Sequence, residues 1–457
     1  ERPVSTSPNP MGVMPIRRLV VHMSWPIVLS MLVQALYNMV DSFFVAQVSG
    51  AAFEALSLAY PVQTLMIAVC TGTGVGVNAL LSRRLGEGKL SEASAVAVHG
   101  YLLYFFSWVL FAVLGLGFAG TYMAFFTQDA VIARYGVEYL TIITAGSLGV
   151  CWQFAGERVL QAGGNPVGPM LIQGVGALIN LILDPILIFG LFGFPRLEVV
   201  GAALATILGQ IIGMLLGLWM VRRSRAIPLH LRGFRFSGAV AAEIYRIGLP
   251  AIAIQALSTV MSMGLNKILT LFTDTGVFIL GAYFKLQSFV IMPIAGINNG
   301  LTPVVSYNYG ARDRNRVTGA IHFALVLGGA IMAAGMLVFL LLPGALLSLF
   351  DATPEVYRDG IPALRILACS FPFAGVSILL CAAFQAMDAP LQSLWVSLGR
   401  QVVFLFPAAL ALGAVFGADG LWWSVPFAEA LSLLLAAACY RRLYRTRIAR
   451  LPAGEEK

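Results

Sequence analysis

Charge is scarce in this sequence. Lys, Arg, Asp and Glu make up 11% of its 457 residues, against 59% hydrophobic, where a soluble domain carries roughly 25% charged residues. A soluble globular enzyme of this length would lack the charged surface it needs, and the apolar excess excludes disorder. Histidine is scarce as well. His22, His99, His230 and His322 are far apart in the chain, and no HExxH, GxSxG or P-loop sequence occurs, so no catalytic constellation is visible. Cys70, Cys151, Cys369, Cys381 and Cys439 are odd in number, scattered and embedded in apolar runs. They offer no disulfide framework and no CxxC metal pair, and read as small buried hydrophobes. Strand-like alternation is missing too. Apolar runs such as 142–151 and 323–342 are long and unalternating, which excludes a transmembrane barrel with its alternating ~10-residue segments. Residues 1–15 are polar and Pro-rich and the first apolar run is too long for a signal core, so no cleavable signal is expected.

What is abundant is apolar helix-forming sequence. A spanning helix takes about 20 apolar residues, and only helices and closed barrels satisfy their backbones in lipid. The chain reads as an all-α membrane protein with about twelve spans, near 20–44, 56–80, 94–119, 135–160, 167–190, 200–221, 246–272, 277–303, 317–342, 360–384, 391–416 and 421–440.

The net charge of +8 invites a nucleic-acid reading, but the placement of the charges argues against one. Twenty-one of the 29 basic residues fall in five segments. These are the N-terminal arm (Arg2, Arg17, Arg18), the second loop (Arg83, Arg84, Lys89), the mid-chain loop (Arg222, Arg223, Arg225, Arg232, Arg235, Arg246), the loop after the eighth span (Arg312, Arg314, Arg316) and the tail (Arg441, Arg442, Arg445, Arg447, Arg450, Lys457). The opposite side holds little more than Arg134, Arg196 and Arg358. Basic loops stay on the cytoplasmic side, so the pattern predicts an even number of spans with both termini inside. The expected partners are a lipid bilayer and small molecules, without nucleic acid, and the chain is expected to act as a monomer.

The two halves repeat. Pro26 and Pro250, Gln63 and Gln287, Gly72 and Gly296, Gly76 and Gly300, Ser82 and Ser306, Gly86 and Gly310, Gln161 and Gln385, and Pro166 and Pro390 are all 224 positions apart. Later the register slips, and Gly201 pairs with Gly420. The longest break, the Arg-rich stretch around Pro228, divides the spans six and six. The expected organisation is a six-helix lobe (1–221), a cytoplasmic linker (222–245), a second six-helix lobe (246–440) and a basic tail (441–457). Six spans per half make this a parallel repeat, with the two lobes around a central cavity and a ligand site near the midplane. Residues 72–76, GTGVG, lie mid-span and read as close helix packing through Gly72 and Gly76.

Ionisable groups inside spans are functional candidates by default. Asp41, Glu157 and Asp184 are such groups. Gln34, Tyr37, Asn38 and Asp41 share one helical face, as do Asn180 and Asp184. Pro26 and Pro185 each remove a hydrogen bond one turn back and are candidate hinges. Two carboxylates, an amide and freed carbonyls form an oxygen-rich pocket suited to a hard cation or a proton. Gln34, Tyr37, Asn38 and Glu157 are expected to line the substrate cavity. The second half has no mirror of these carboxylates, since Leu265, Ala408 and Cys381 stand 224 residues on from Asp41, Asp184 and Glu157. In or near its spans it has Lys267, Lys285, Arg400 and Glu429.

Asn180, Leu183, Asp184 and Pro185 form N-x-x-L-D-P, and Gly201 to Thr206 form G-A-A-x-A-T. Together with Pro26, Tyr37, Asp41 and Gly86-Glu87-Gly88, they resemble the multidrug and toxic compound extrusion (MATE) family along essentially the whole chain. The resemblance implies an inner-membrane antiporter, not an enzyme, without a cofactor, that exports amphipathic and often cationic compounds against Na⁺ or H⁺. It is similar to the prokaryotic branch with an N-lobe cation site, whose ligand positions match Asp41, Asn180, Asp184 and Thr206. Two alternatives stand beside this reading, a lipid-linked sugar flippase of the same superfamily and an integral membrane enzyme acting on lipids.

Overall fold

The computed structural model describes residues 9–224, 226–227, 229, 234–273, 275–350 and 353–452. Arg2, Arg225, Pro228, His230, Arg232 and Lys457 lie outside the described residues. Among the described residues there are helices and turns and no strand. After a one-turn helix α1 (Pro10–Val13), the first half consists of α2 (Ile16–Val48), α3 (Gly50–Gly86), α4 (Leu90–Phe126), α5 (Ala130–Ala145), α6 (Leu148–Ala162), α7 (Val167–Phe189) and α8 (Glu198–Arg223). The second half follows with α9 (Gly238–Leu269), α10 (Gly276–Gly310), α11 (Arg314–Leu341), the short α12 (Pro343–Leu347), α13 (Pro354–Ala368), α14 (Phe371–Ala386), α15 (Pro390–Leu398) and α16 (Leu405–Leu443).

Nine of the described helices are long and apolar enough to cross a membrane, ten when the bent pair α13–α14 is taken as one span. The two remaining expected spans are present in altered form. The 135–160 span is split at Gly146–Ser147 into α5 and α6, neither long enough to cross alone. The last two spans are joined in one helical stretch, Pro390–Ile448, of 59 residues. At 1.5 Å per residue that is about 90 Å of helix, roughly three times the hydrocarbon thickness. Gly417, at φ 66° and ψ −146°, breaks it inside α16, a conformation open in practice only to glycine. The basic tail begins as an extension of this stretch, with a π-helical turn over Tyr444–Ile448.

The repeat extends from residue types to backbone geometry. The breaks between α5 and α6 and between α13 and α14 occupy equivalent places, and α6 and α14 end at Ala162 and Ala386, again 224 apart. The turns repeat as well. Gly88 (φ 74°) corresponds to Arg312 (φ 60°), and Gly164 (φ 84°) to Asp388 (φ 60°). The second half thus holds side chains in the left-handed region where the first half has glycine, at about 1–2 kcal/mol per residue. Arg312 is exposed. Arg312→Gly is therefore expected to raise stability by about 0.5–1 kcal/mol, once the greater freedom of glycine in the unfolded chain is subtracted. A thermal midpoint in detergent that is unchanged or lower would show that the turn is unstrained.

The packing of the glycines explains a second feature. A Cβ on Gly76 would strike the Ile244 carbonyl, and one on Gly248 would sit 2.9 Å from the Gly72 carbonyl. So α3 meets the start of α9 through bare backbone. In the second half, a Cβ on Gly300 would lie 2.7 Å from Ser24 Oγ and 2.9 Å from the Met23 carbonyl, and one on Gly296 would strike Val28. So α10 meets the start of α2 in the same way. The expected packing role of Gly72 and Gly76 is what these helices show.

The two compact units accordingly differ from the expected cut at the 222–245 linker. Among the described residues, one is built on Leu29–Gly248 and the other on Pro10–Val28 with the residues from Leu249 to Pro452. Each unit takes the opening turns of the other half's first helix, because those turns seat on its glycine pair. The chain changes unit beside Pro26 in α2 and beside Pro250 in α9, and both helices run through their prolines.

Candidate functional site

The helices that carry Asn180 and Thr206 approach through small residues. A Cβ on Gly176 in α7 would lie 3.1 Å from the Gly209 carbonyl in α8, and one on Gly209 would lie 2.6 Å from the Gly176 carbonyl. A Cβ on Gly201 would lie 2.5 Å from the Leu187 carbonyl, and Ala202, Ala203 and Ala205 are buried beside it. The G-A-A-x-A-T sequence is thus the small-residue face that lets α8 lie against α7. Asn180 and Thr206 meet across this seam.

The amide of Asn180 is best satisfied with its nitrogen toward Asp184. Nδ2 then donates to Asp184 Oδ2 at 3.0 Å, while the amide oxygen accepts from Thr206 N at 2.9 Å and from Thr206 Oγ1 at 3.2 Å. The Thr206 hydroxyl also lies 3.0 Å from the Ala202 carbonyl. From α2, the Asp41 carboxyl approaches that of Asp184, and the Tyr37 hydroxyl approaches Thr206. Asp184 is fully buried. Asp41 Oδ1 and Asp184 Oδ1 are both buried without a hydrogen-bond partner. Two facing carboxyls with orphaned oxygens repel one another unless a proton or a cation sits between them. The donor set, two carboxylates, an amide and a hydroxyl, consists of hard oxygens. Among the described residues no cluster of three or more His, Cys, Asp or Glu could hold a metal ion.

The structure brings together Tyr37, Asp41, Asn180, Asp184 and Thr206, all within the first unit. It divides the face expected on α2. Tyr37 and Asp41 are half-buried, whereas Gln34 and Asn38 are exposed. Glu157 stands apart from the carboxylate pair. It is 2% exposed, and its two oxygens accept from Gln153 Nε2 at 3.1 Å and Gln173 Nε2 at 2.9 Å. Pro185 lies inside an unbroken α7 next to Asp184. Sequence reasoning missed Tyr139 of α5, which is buried and accepts from Gln63 Nε2 at 2.8 Å. The available signal was Gln63, whose repeat partner Gln287 also donates to a tyrosine, Tyr283, at 2.8 Å.

In the second unit Lys267 is exposed two residues before the end of α9, and Lys285 is exposed with its ammonium 5.9 Å from the centre of the Phe350 ring. Arg400 and Glu429 form an ion pair, Nε to Oε1 at 3.8 Å, across a π-helical turn at Gly399–Val403. Glu429 Oε2 is buried without a partner. Both side chains are partly buried, so removing one charge leaves the other poorly compensated, and Glu429→Gln is expected to destabilise the folded protein by about 2 kcal/mol, between the values for exposed and fully buried pairs. Chemical denaturation in detergent measures this. A change below about 1 kcal/mol would class the pair with exposed ones.

Comparison with known proteins agrees with this geometry. The MatE family profile matches residues 26–186 and 250–410, two segments at the same 224-residue offset. A FAD transporter of Shewanella oneidensis is 26% identical over 429 residues, covering 93% of this chain and 94% of that one. The multidrug export protein MepA of Staphylococcus haemolyticus is 26% identical over 425 residues, covering 92% of each. A solved structure described as the outward-facing conformation of a multidrug resistance MATE family transporter of the MOP superfamily superposes with a TM-score of 0.87 at 25% identity, over 97% of this chain and 98% of that one. Sequence repeat, helical architecture and whole-length similarity agree, and the chain belongs to the MatE family of multidrug and toxic compound extrusion transporters.

Proposed function

We propose that the protein is a cation-coupled antiporter that exports amphipathic, often cationic, organic compounds by alternating access, driven by Na⁺ or H⁺. The observation that carries this reading is the Asp41–Asp184 pair, with one buried orphaned oxygen on each carboxyl. A single bound cation or proton reduces the repulsion and fills the vacant acceptor positions. Asn180 and Thr206 hold Asp184 in place. Tyr37, one turn from Asp41 on the same face, brings its hydroxyl beside Thr206 of α8. Movement of α2 and loss of the ion are then linked, because the pair is stable only when occupied. No bond is made or broken, so the chemistry calls for no cofactor. The charge pattern supports a cytoplasmic-membrane location with both termini inside.

Proteoliposomes loaded with ethidium and given either a Na⁺ or a proton gradient test the coupling. Efflux that follows one gradient and fails without it supports the proposal, whereas efflux indifferent to both refutes ion coupling. A second substrate class is favoured by the FAD transporter relative, which is as similar as the multidrug relative. Under that reading FAD itself moves under the same gradient, and it competes with the dye.

A further inference from the structure

The end of the second unit carries two adjoining grooves that the coupling site does not use. One, of ≈ 620 Å³, lies between the first turns of α11 and the last turns of α16, with Asn315 and His322 on one wall and Tyr440, Arg441, Tyr444 and Arg445 on the other. The second, of ≈ 530 Å³, shares Arg441 and Arg445 and continues toward Leu434, Ala437 and Ala438. Among the described residues no carboxylate lines either groove, and between Ala430 and Gly454 the chain has five arginines and no acidic residue. Arg441, Arg442 and Arg445 are exposed, while Arg447 is committed to the Met387 and Asp388 carbonyls at 2.7 and 2.9 Å.

The order of these residues along α16 is what identifies a ligand. From Leu434 to Arg445 the helix rises about 16 Å, from an exposed apolar stretch, where Leu434 is 67% exposed, to free guanidinium groups flanked by tyrosines. Guanidinium groups pair with phosphate oxygens through paired N–H bonds, tyrosines sit at headgroup level, and basic pockets between spans on the cytoplasmic side take anionic headgroups. A free phosphate compound would use the arginines and leave the apolar stretch unmatched, whereas a phospholipid uses both. We propose that the two grooves together form a binding site for an anionic phospholipid, with the phosphodiester on Arg441 and Arg445 in the first, which Thr318 also lines, and an acyl chain along Leu434, Ala437 and Ala438 in the second.

The test uses the purified full chain in detergent, titrated with phosphatidylglycerol, phosphatidylcholine or inorganic phosphate and read by native mass spectrometry and by the thermal midpoint. Phosphatidylglycerol is expected to be retained and to raise the midpoint, with phosphatidylcholine and inorganic phosphate doing neither. With each arginine contributing about fivefold near an anionic headgroup, Arg441→Gln with Arg445→Gln should weaken phosphatidylglycerol binding roughly 30-fold. Arg222→Gln with Arg223→Gln, at the mid-chain basic segment, should change it less than about twofold if charge acts locally. Thr318→Phe keeps every charge and obstructs the first groove, so it should also weaken binding, and it decides the matter if the double arginine variant does not fold. Equal losses at both basic segments, equal binding of phosphatidylcholine, phosphate competing as well as lipid, or full binding by Thr318→Phe would each overturn the proposal.

Discussion

Asp41→Asn and Asp184→Asn are each expected to reduce gradient-driven dye efflux from proteoliposomes to the passive leak, while the protein stays folded. The geometry separates these two outcomes. The carboxyls lie within reach of one another, each with an orphaned oxygen, so a single neutral amide removes the negative charge that draws in the ion. It also relieves the repulsion in the empty pair, and the thermal midpoint should hold or rise. The double variant should be no worse than either single one, because residues that act as a unit are not additive. Thr206→Ala removes only a hydroxyl that helps to hold Asn180, and a weaker, partial loss is expected from it. Wild-type efflux in both aspartate variants would sink the assignment, and a lost fold would make the pair structural.

The largest effect on stability is expected at the glycine seams. Gly76→Val and Gly300→Val each put a side chain where a backbone carbonyl of the opposing helix stands, Ile244 for the first and Met23 for the second. The Ser24 hydroxyl stands nearer still to Gly300, but both carbonyls are backbone and cannot swing aside, so the helices must separate. Overpacking of this kind costs typically 1–3 kcal/mol and occasionally more, and here each substitution breaks the seat of a whole helix start. A fall in stability of about 3 kcal/mol or more is expected in each case, seen as a lowered denaturation midpoint and poor recovery from membranes. Gly117→Ala and Gly329→Ala, where an added Cβ meets nothing within 4 Å, should be neutral or gain up to about 1 kcal/mol from helix propensity. If Gly76→Val is as harmless as Gly117→Ala, the seam is loose.

Much of this architecture could be read before any coordinates. Apolar run length gives the spans, and Pro and Gln at one offset give the repeat, because these residues rarely recur in register by accident in apolar sequence. Asp41 and Asp184 stood out because a carboxylate inside a span is rare. Thr206 and Tyr139 did not stand out physically. A threonine or tyrosine in a membrane helix is common, and its importance depends on which helix lies opposite. Thr206 came from the family resemblance alone. The exposure of Gln34 and Asn38 was likewise illegible, since spacing groups residues on a face without saying how much of that face a neighbour covers. Gly72 and Gly76 announced a close approach but not its partner. The span breaks at Gly146–Ser147 and Cys369–Ser370, and the π-helical turns at Gly399–Val403 and Tyr444–Ile448, are decided by packing rather than by local sequence.

The exchange of helix starts has a consequence for the order in which the protein can be completed. Residues Pro10–Val28 leave the ribosome well before the glycine pair that receives them, Gly296 and Gly300, which is made more than 260 residues later. At about 5–20 residues per second, the delay is on the order of 15–55 s. Through that interval the opening turns of α2 have no seat, and the bare face of α3 around Gly72 and Gly76 waits for the start of α9. The second unit joins Pro10–Val28 to residues from Leu249 onward, so it cannot close until the second half is made, whereas Leu29–Gly248 is complete once the start of α9 has been added.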